Sequence, residues 1–476
     1  MSEDATRKYK TLARDTGLFT ISSFGSKILV FLLTPLYTSI LATQDYGIAD
    51  LITTTINFIY PILTLAIADA TLRFALDKSI NKNAVFCVST VFTAISVVVL
   101  CFCKPLITLI DSSLGQYWYV FIINFTLFNV HNYFSNFVKA IGKTSLFAIQ
   151  GLVHTATIIC CNIVFLVILK LNLDGYLLST IIGYIVPIIL MFFGAKLYKY
   201  ITPFSIDIDL LKEMLVYSIP MIPTLLAWSI NTSIDKYMII WMHGLSASGV
   251  YSVAHKIPTI ITTILTVFTQ AWQISVISNH GSEDESLFYT SVYKGLDFIS
   301  LTGCMFVILI CKQIAKILFA RDFFAAWQYV PMLVISAMFS AHSGFLAAAY
   351  RAAKKTKSLF ISVMVGSVIN IILNYILIRN IGVLGAAIAT AISFLTVWVV
   401  RIILIQRIVK VDIYIPSTII CYSSLFLSAY LVMMDVPYSK IIVGVLYVVI
   451  CILHRSTIIA LCKGCRKILN SRKAIK

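Results

Sequence analysis

Charge is what this sequence has least of. Only 12% of its 476 residues are Asp, Glu, Lys or Arg, about half the share of a soluble globular chain. A water-soluble protein of this length has no core able to hide 59% hydrophobic residues. Acid is scarcer than base, with 20 Asp and Glu against 37 Lys and Arg. There is no Gly-rich phosphate loop, no nucleophile–base pair and no His/Cys/Asp/Glu cluster at metal-ligand spacing. ATP hydrolysis is therefore unsupported, and neither a cofactor nor a metal is implied. The eleven cysteines are mostly lodged in apolar stretches, among them Cys101, Cys103, Cys160, Cys161 and Cys304, where cysteine serves as a small hydrophobe. Cys462 and Cys465 in the basic tail have no second pair nearby to complete a zinc site.

Long apolar runs fill the rest. Leu177–Phe193, Phe360–Ile378 and Val383–Val400 carry no charge, and each approaches the roughly 20 residues that cross a bilayer as helix. The runs are continuous rather than alternating, which excludes a β-barrel. No short apolar segment with a small-residue cleavage site opens the chain, so the first span is expected to remain in the mature protein. The expected fold is an all-α integral membrane protein of about fourteen transmembrane helices. The spans fall near 16–38, 46–68, 84–103, 117–138, 146–169, 175–195, 215–242, 249–277, 295–311, 328–350, 358–378, 383–400, 413–434 and 441–460.

Placing the N-terminus inside puts 27 of the 37 Lys and Arg in inside segments and 7 in outside ones, with Lys27, Lys236 and Lys256 inside spans. This bias predicts cytoplasmic termini. It also accounts for the net charge of +17 through anionic headgroups rather than nucleic acid. The segment holding Lys312, Lys316 and Arg321 runs against the rule.

Two short matches point to duplication. Lys139-Ala140-Ile141-Gly142-Lys143-Thr144 resembles Arg351-Ala352-Ala353-Lys354-Lys355-Thr356 at an offset of 212, and Gly175 and Thr180 reappear as Gly385 and Thr390 at 210. Such an offset covers six spans, an even number, so the copies are parallel. The expectation is a six-helix bundle over 1–200, a second over 201–410, two final helices over 411–460 and a basic tail over 461–476. The bundles would flank a central cavity and open it to alternate sides.

Polar residues inside spans recur at helical spacing. Span one carries Thr16, Thr20, Ser23, Lys27, Thr34 and Thr38; span two Tyr46, Asp50, Thr53, Asn57 and Thr64; span four Asn129, Asn132, Asn136 and Lys139. Span seven carries Thr224, Trp228, Asn231 and Asp235; span eight His255, Thr259, Thr262, Thr266, Gln270 and Gln273. Such stripes either line a hydrated cavity or hold helices together; five of them favour the cavity. Lys27 lies about eleven residues, roughly 16 Å, from either end of its span. That is too deep to snorkel, so it should meet water, an acid or an anionic ligand. Lys236 and Lys256 lie nearer the outer surface and suit either a ligand contact or an interfacial anchor. Asp50 and Asp235 are candidate partners for these lysines or for a coupling ion. The candidate substrate-binding residues are Lys27, Lys256, Lys236, Asn57, Asn132, Asn231, His255 and Gln270.

Several motifs carry a family resemblance. Thr34-Pro35-Leu36-Tyr37 is followed by Leu41, Tyr46-Gly47 and Leu72-Arg73-Phe74. Further on come Ile234-Asp235-Lys236-Tyr237, Gly249-Val250-Tyr251-Ser252 with Ala254 and Lys256, and Gly382 through Thr390. In order and spacing the chain resembles bacterial oligosaccharide flippases of the O-antigen (Wzx) type, within the superfamily that also holds lipid II flippases and multidrug and toxic-compound extruders. The resemblance implies movement of a polyprenyl-pyrophosphate-linked oligosaccharide from the inner to the outer leaflet of the cytoplasmic membrane. It also implies polysaccharide polymerase and chain-length proteins as partners. An ion-coupled small-molecule exporter of the same fold is the alternative. A membrane polymerase or glycosyltransferase fits less well, because the longest outer segment, near Lys312–Trp327, is short and holds one acid, Asp322.

Overall fold

A computed structural model describes residues 25, 27–29, 31–77, 79–201, 207–279, 285–353, 355–412 and 414–459. The described part is all-helical, and helix falls on each of the fourteen expected spans. Among the described residues nine helices are long and apolar enough to cross a membrane, or ten if one bent pair counts as a single span. The difference from fourteen has physical causes. Two helices join across a reversal described below, the last is short, the fourth is diluted by Asn124, Asn129, Asn132 and Asn136, and the first begins outside the described residues. The tail over 461–476 lies outside the described residues.

The chain forms two compact units, 1–252 and 253–476, rather than parting near 200. Unit 1 runs α1 (Thr34–Ile40), α2 (Thr43–Leu63), α3 (Ile67–Ala75), α4 (Lys82–Phe102), short α5 (Lys104–Thr108) and α6 (Ser112–Gln116), then α7 (Trp118–Ala140), α8 (Thr144–Asn162), α9 (Asn172–Gly194), α10 (Ile208–Ser218) and α11 (Ile222–Ala254). Pro61 sits inside α2, and the chain bends by 62° before α3. Leu65 and Ala66 take left-handed backbone angles at the bend, where the Ala66 N–H bonds back to the Pro61 carbonyl and closes the helix end. Asn81 and Asp207 cap α4 and α10 by accepting backbone N–H bonds.

Unit 2 runs α12 (Lys256–Asn279), α13 (Glu285–Leu318), α14 (Val330–Ala352), α15 (Thr356–Ile381), α16 (Val383–Ile405), α17 (Ile415–Met433) and α18 (Ser439–Leu453). The expected final pair is no appendage, because α17 packs on α13 and α14 and α18 packs on α13. Lys312 and Lys316, expected in an outer loop, are helical. Lys312 pairs with Asp435 at 2.7 Å and lies over the Trp327 ring, which offsets its exception to the charge rule. Arg401, expected in a loop, is buried in α16 and donates to the Ser343 carbonyl and the Ser362 hydroxyl.

The turn after α7 and the turn after α14 are alike in detail. Lys143 N–H bonds the Val138 carbonyl and Lys355 N–H bonds that of Tyr350, while Ile141 and Ala353 bond Phe137 and Ala349. Lys143 and Lys355 share nearly the same backbone angles, φ −87° and ψ 56° against φ −92° and ψ 57°. One helix later, Asn162 and Asn374 each donate to the carbonyl four residues back. The α8–α9 contact is a His154 bond to the Gly183 carbonyl, and the α15–α16 contact is a Ser393 bond to the Gly366 carbonyl. The glycine has changed sides, and the crossing is the same. These equivalences all fall at offsets of 210 or 212, as the sequence matches do.

Candidate functional site

The site in unit 1 is made by a chain reversal. A straight helix would place Asp235 and Tyr251 about 24 Å apart, yet Tyr251 donates to Asp235 Oδ2 at 2.6 Å. The reversal is at Gly244, where φ is 85° and ψ is 175°. Glycine tolerates that region without strain. Residues 222–243 and 245–254 therefore form a hairpin, and both arms reach α2.

Small residues let them come close. A side chain on Gly47 would strike the Leu245 backbone, and one on Gly249 would strike that of Thr43. Close approach through small residues is how helices associate where no hydrophobic force drives them together. Thr43 and Ser246 share a 2.6 Å bond at the end of this contact. The motif residues Tyr46-Gly47 and Gly249-Val250-Tyr251-Ser252 are thus two faces of one helix crossing.

Above the crossing sits an ion pair. Lys236 Nζ lies 2.8 Å from Asp50 Oδ2 and 3.0 Å from Oδ1. Ser252 donates to the same carboxylate at 2.7 Å, and Thr54 lies 3.4 Å from it. The side chains are 16% and 21% exposed, so the pair is screened less than a surface pair and desolvated less than a core pair. Asp235 is buried and accepts from Tyr251 and from the Lys236 N–H. Tyr237 bonds Thr55 at 3.2 Å. These bonds place span seven in unit 1 and move the boundary from 200 to 252.

The structure brings Asp50, Asp235 and Lys236 together. Asn57 lies two turns along α2 from Asp50 and lines a cavity of about 150 Å³ with Thr53, Asn124, Tyr176, Thr180 and Tyr184. Asn231 is buried on α11, one turn before Asp235. Asn132 is half-buried on α7. Lys27 is exposed. His255 and Lys256 sit at the start of α12, in unit 2. The Gln270 side chain lies outside the described residues, as do Thr16, Thr20 and Ser23.

Hydroxyls and amides of two stripes have local or interhelical partners. On α7, Asn129 donates to Ser96 and Asn136 to the Ala68 carbonyl, holding α4 and the α2–α3 bend. On α12, Thr259, Thr262, Thr263, Thr266 and Thr269 each bond a carbonyl of their own helix, which satisfies the hydroxyls locally.

Sequence reasoning passed over Asp297, a buried acid on α13, and Arg401. The rule that singled out Lys27, an ionisable group inside an apolar stretch, applies equally to Leu296-Asp297-Phe298-Ile299. An apolar groove of about 910 Å³ runs between α16 and α17, walled by Trp398, Ile402, Ile415, Ile419, Tyr422 and Phe426.

A sequence profile described as polysaccharide biosynthesis protein matches residues 12–278, more than half of the chain, and a second, MatE, matches 220–376. An uncharacterized membrane protein of Methanocaldococcus jannaschii, MJ1375, is 27% identical over 54% of this chain. The match spans 63% of that protein's length. The lipid II flippase MurJ in its inward closed conformation superposes with a TM-score of 0.69 at 16% identity, over 93% of this chain and 99% of that one. An inward-facing multidrug resistance MATE family transporter of the MOP superfamily gives 0.67 at 15% identity, over 80% and 95%. The fold is therefore that of the MOP superfamily.

Proposed function

The chain belongs to the polysaccharide biosynthesis protein family, and from that premise we propose that it flips a polyprenyl-pyrophosphate-linked oligosaccharide. Movement is from the inner to the outer leaflet, by alternating access between two parallel helical bundles related by the repeat. The observation that carries this reading is the groove between α16 and α17. It is walled by aliphatic and aromatic side chains over about 910 Å³, a surface suited to an acyl-like or prenyl chain and a poor match for a hydrated ion. Lys27, Lys236 and Lys256 supply cations for a pyrophosphate. Asn57, Asn132, Asn231, His255 and Gln270 supply amide and ring groups for sugar. The paired state of Lys236 makes Asp50 its counter-ion, so phosphate would compete with a carboxylate there. The membrane is the bacterial cytoplasmic membrane, with both termini inside, and the polymerase and chain-length proteins are the partners to seek.

The MatE match over 220–376 and the MATE neighbour favour a second reading, efflux of a small molecule coupled to an ion. One experiment separates them. In cells depleted of the protein, flipping predicts that a polyprenyl-linked glycan accumulates on the cytoplasmic face while sensitivity to small cations stays unchanged. Increased cation retention without glycan accumulation would favour the exporter.

A further inference from the structure

Asp297 lies twelve residues into α13, about 18 Å from its start, and is 8% exposed. Four groups from three other helices close around it. Tyr422 on α17 donates to Oδ1 at 2.7 Å. His342 on α14 brings Nε2 to 3.8 Å from Oδ1, and His454, at the end of α18, brings Nε2 to 3.5 Å from Oδ2. Cys421 stands 4.0 Å from His454 Nδ1. From α16, Trp398 donates to Tyr293, one turn along α13 from Asp297.

Arg401 on α16 is a buried cation that donates to the Ser343 carbonyl, next to His342, while the charges on α13 and beyond its ends stand off. Lys294 and Arg455 are exposed. Glu285 is about 18 Å along the helix, the Lys312–Asp435 pair about 22 Å, and Arg321 and Asp322 follow its far end, beyond about 30 Å.

The hydrogen-bond chemistry fixes where a proton can go. The Ile450 carbonyl lies 3.1 Å from His454 Nδ1, and a carbonyl only accepts, so Nδ1 carries hydrogen. That leaves Nε2 facing the carboxylate. With no proton between them, a ring lone pair opposes a carboxylate lone pair. One proton, on either atom, turns the contact attractive. His342 is flanked by two hydroxyls, Ser300 at 2.7 Å from Nε2 and Tyr422 at 3.4 Å from Nδ1. Hydroxyls donate or accept, so this ring keeps partners in its neutral and charged forms.

We propose that Asp297, His342 and His454 form a proton-binding site that is loaded and emptied during the transport cycle, and that Tyr422 couples its occupancy to the apolar groove. Tyr422 belongs to both places, its ring walling the groove and its hydroxyl holding the carboxylate. A chain in the groove that displaces Tyr422 removes a donor from the ionised carboxylate, which makes the site more basic. By linkage, loading the proton loosens Tyr422. The proton site stands on its own geometry, whereas the coupling rests on the groove reading given above.

The test uses the full chain in detergent micelles, labelled with ¹⁵N-histidine. There are seven histidines, and His342→Gln and His454→Gln assign the two ring signals of interest. Asp297→Asn removes the facing anion, so the His454 midpoint should fall by about one pH unit or more; an unmoved midpoint overturns the site. If Asp297→Asn does not accumulate, Tyr422→Phe keeps the ring and removes only the donor. The midpoint should then rise, and no movement again overturns the site. Adding polyprenyl phosphate, its binding followed by its own ³¹P signal, should raise the wild-type midpoint and leave that of Tyr422→Phe unchanged. Bound lipid with no effect overturns the coupling. Lipid that fails to bind overturns the groove reading, while the Asp297→Asn result decides the proton site independently.

Discussion

Lys236 reaches Asp50 across 186 residues of sequence and meets both carboxylate oxygens, at 2.8 and 3.0 Å. A second arm of the same hairpin adds Ser252 to the carboxylate. The pair fastens span seven to span two.

Removing one partner leaves the other charge without its counter-ion in a site about four-fifths shielded from solvent. Asp50→Asn and Lys236→Met should each destabilise the protein by on the order of 1–3 kcal/mol, short of the roughly 3–5 for a fully buried pair. The double variant should recover most of the loss. Thermal unfolding in detergent measures this, and additive losses would show that the pair is not coupled.

Gly47 and Gly249 should tolerate nothing larger. Gly249→Leu, and to a lesser degree Gly249→Ala, should reduce accumulation in the membrane, because the added carbon meets backbone that has no rotamer to change. Gly303→Ala on α13 is the control. No atom lies within 4 Å of the position such a carbon would take, and an alanine in mid-helix is favoured over glycine. Equal loss in both variants would mean that the crossing is not what limits folding.

These two tests bear on parts of the fold that the sequence reveals unequally. The helices were legible because continuous apolar runs have one physical solution in a bilayer. The likeness of two turns was legible at Lys139–Thr144 and Arg351–Thr356, and they share their hydrogen bonds because the same short spacing closes them. The unit boundary was not legible. It depends on which partner Asp50 takes, and a polar stripe gives a face without naming what lies opposite. Asn129, Asn136 and the α12 threonines carry the same periodicity as a cavity wall while bonding neighbouring helices or their own carbonyls. Asp297 was missed because its partners, His342, Tyr422 and His454, come from spans 45 to 157 residues away, beyond the reach of any spacing rule.

The repeat also fixes sidedness. Lys143 and Lys355 occupy equivalent turns six spans apart, so both should face the cytoplasm if the Lys and Arg bias sets orientation. In a cysteine-free background, Lys143→Cys and Lys355→Cys should resist a membrane-impermeant maleimide in intact cells and react after permeabilisation. Lys104→Cys, in the opposite set of loops, should react in both. Labelling of Lys143→Cys alone in intact cells would contradict the parallel arrangement.

Lys27 gives the sharpest test of the flippase reading. On the expected span 16–38 it would stand about 16 Å from either end by helix rise, a depth that costs an ammonium on the order of 2.5–3.5 kcal/mol on insertion scales. Gly25, two residues earlier, faces Leu152 of α8, and two residues turn a helix by about 200°. Lys27 therefore points away from α8 and is exposed. Asp50, one of the acids available to neutralise it, is taken by Lys236, and Asp235 by Tyr251. A structural ion pair with either acid is thus a weaker account of Lys27 than a ligand, and a pyrophosphate carries the charge to offset it. Lys27→Ala should abolish glycan export while the protein still inserts and accumulates, because among the described residues no acid pairs with it. Lys27→Arg should retain part of the activity, keeping the charge while changing donor geometry. Glycan export in cells, normalised to membrane levels of each variant, reads both outcomes. Normal export by Lys27→Ala at normal protein levels would sink the substrate role. Loss of protein, restored by removing Asp50 or Asp235 as well, would return Lys27 to the fold.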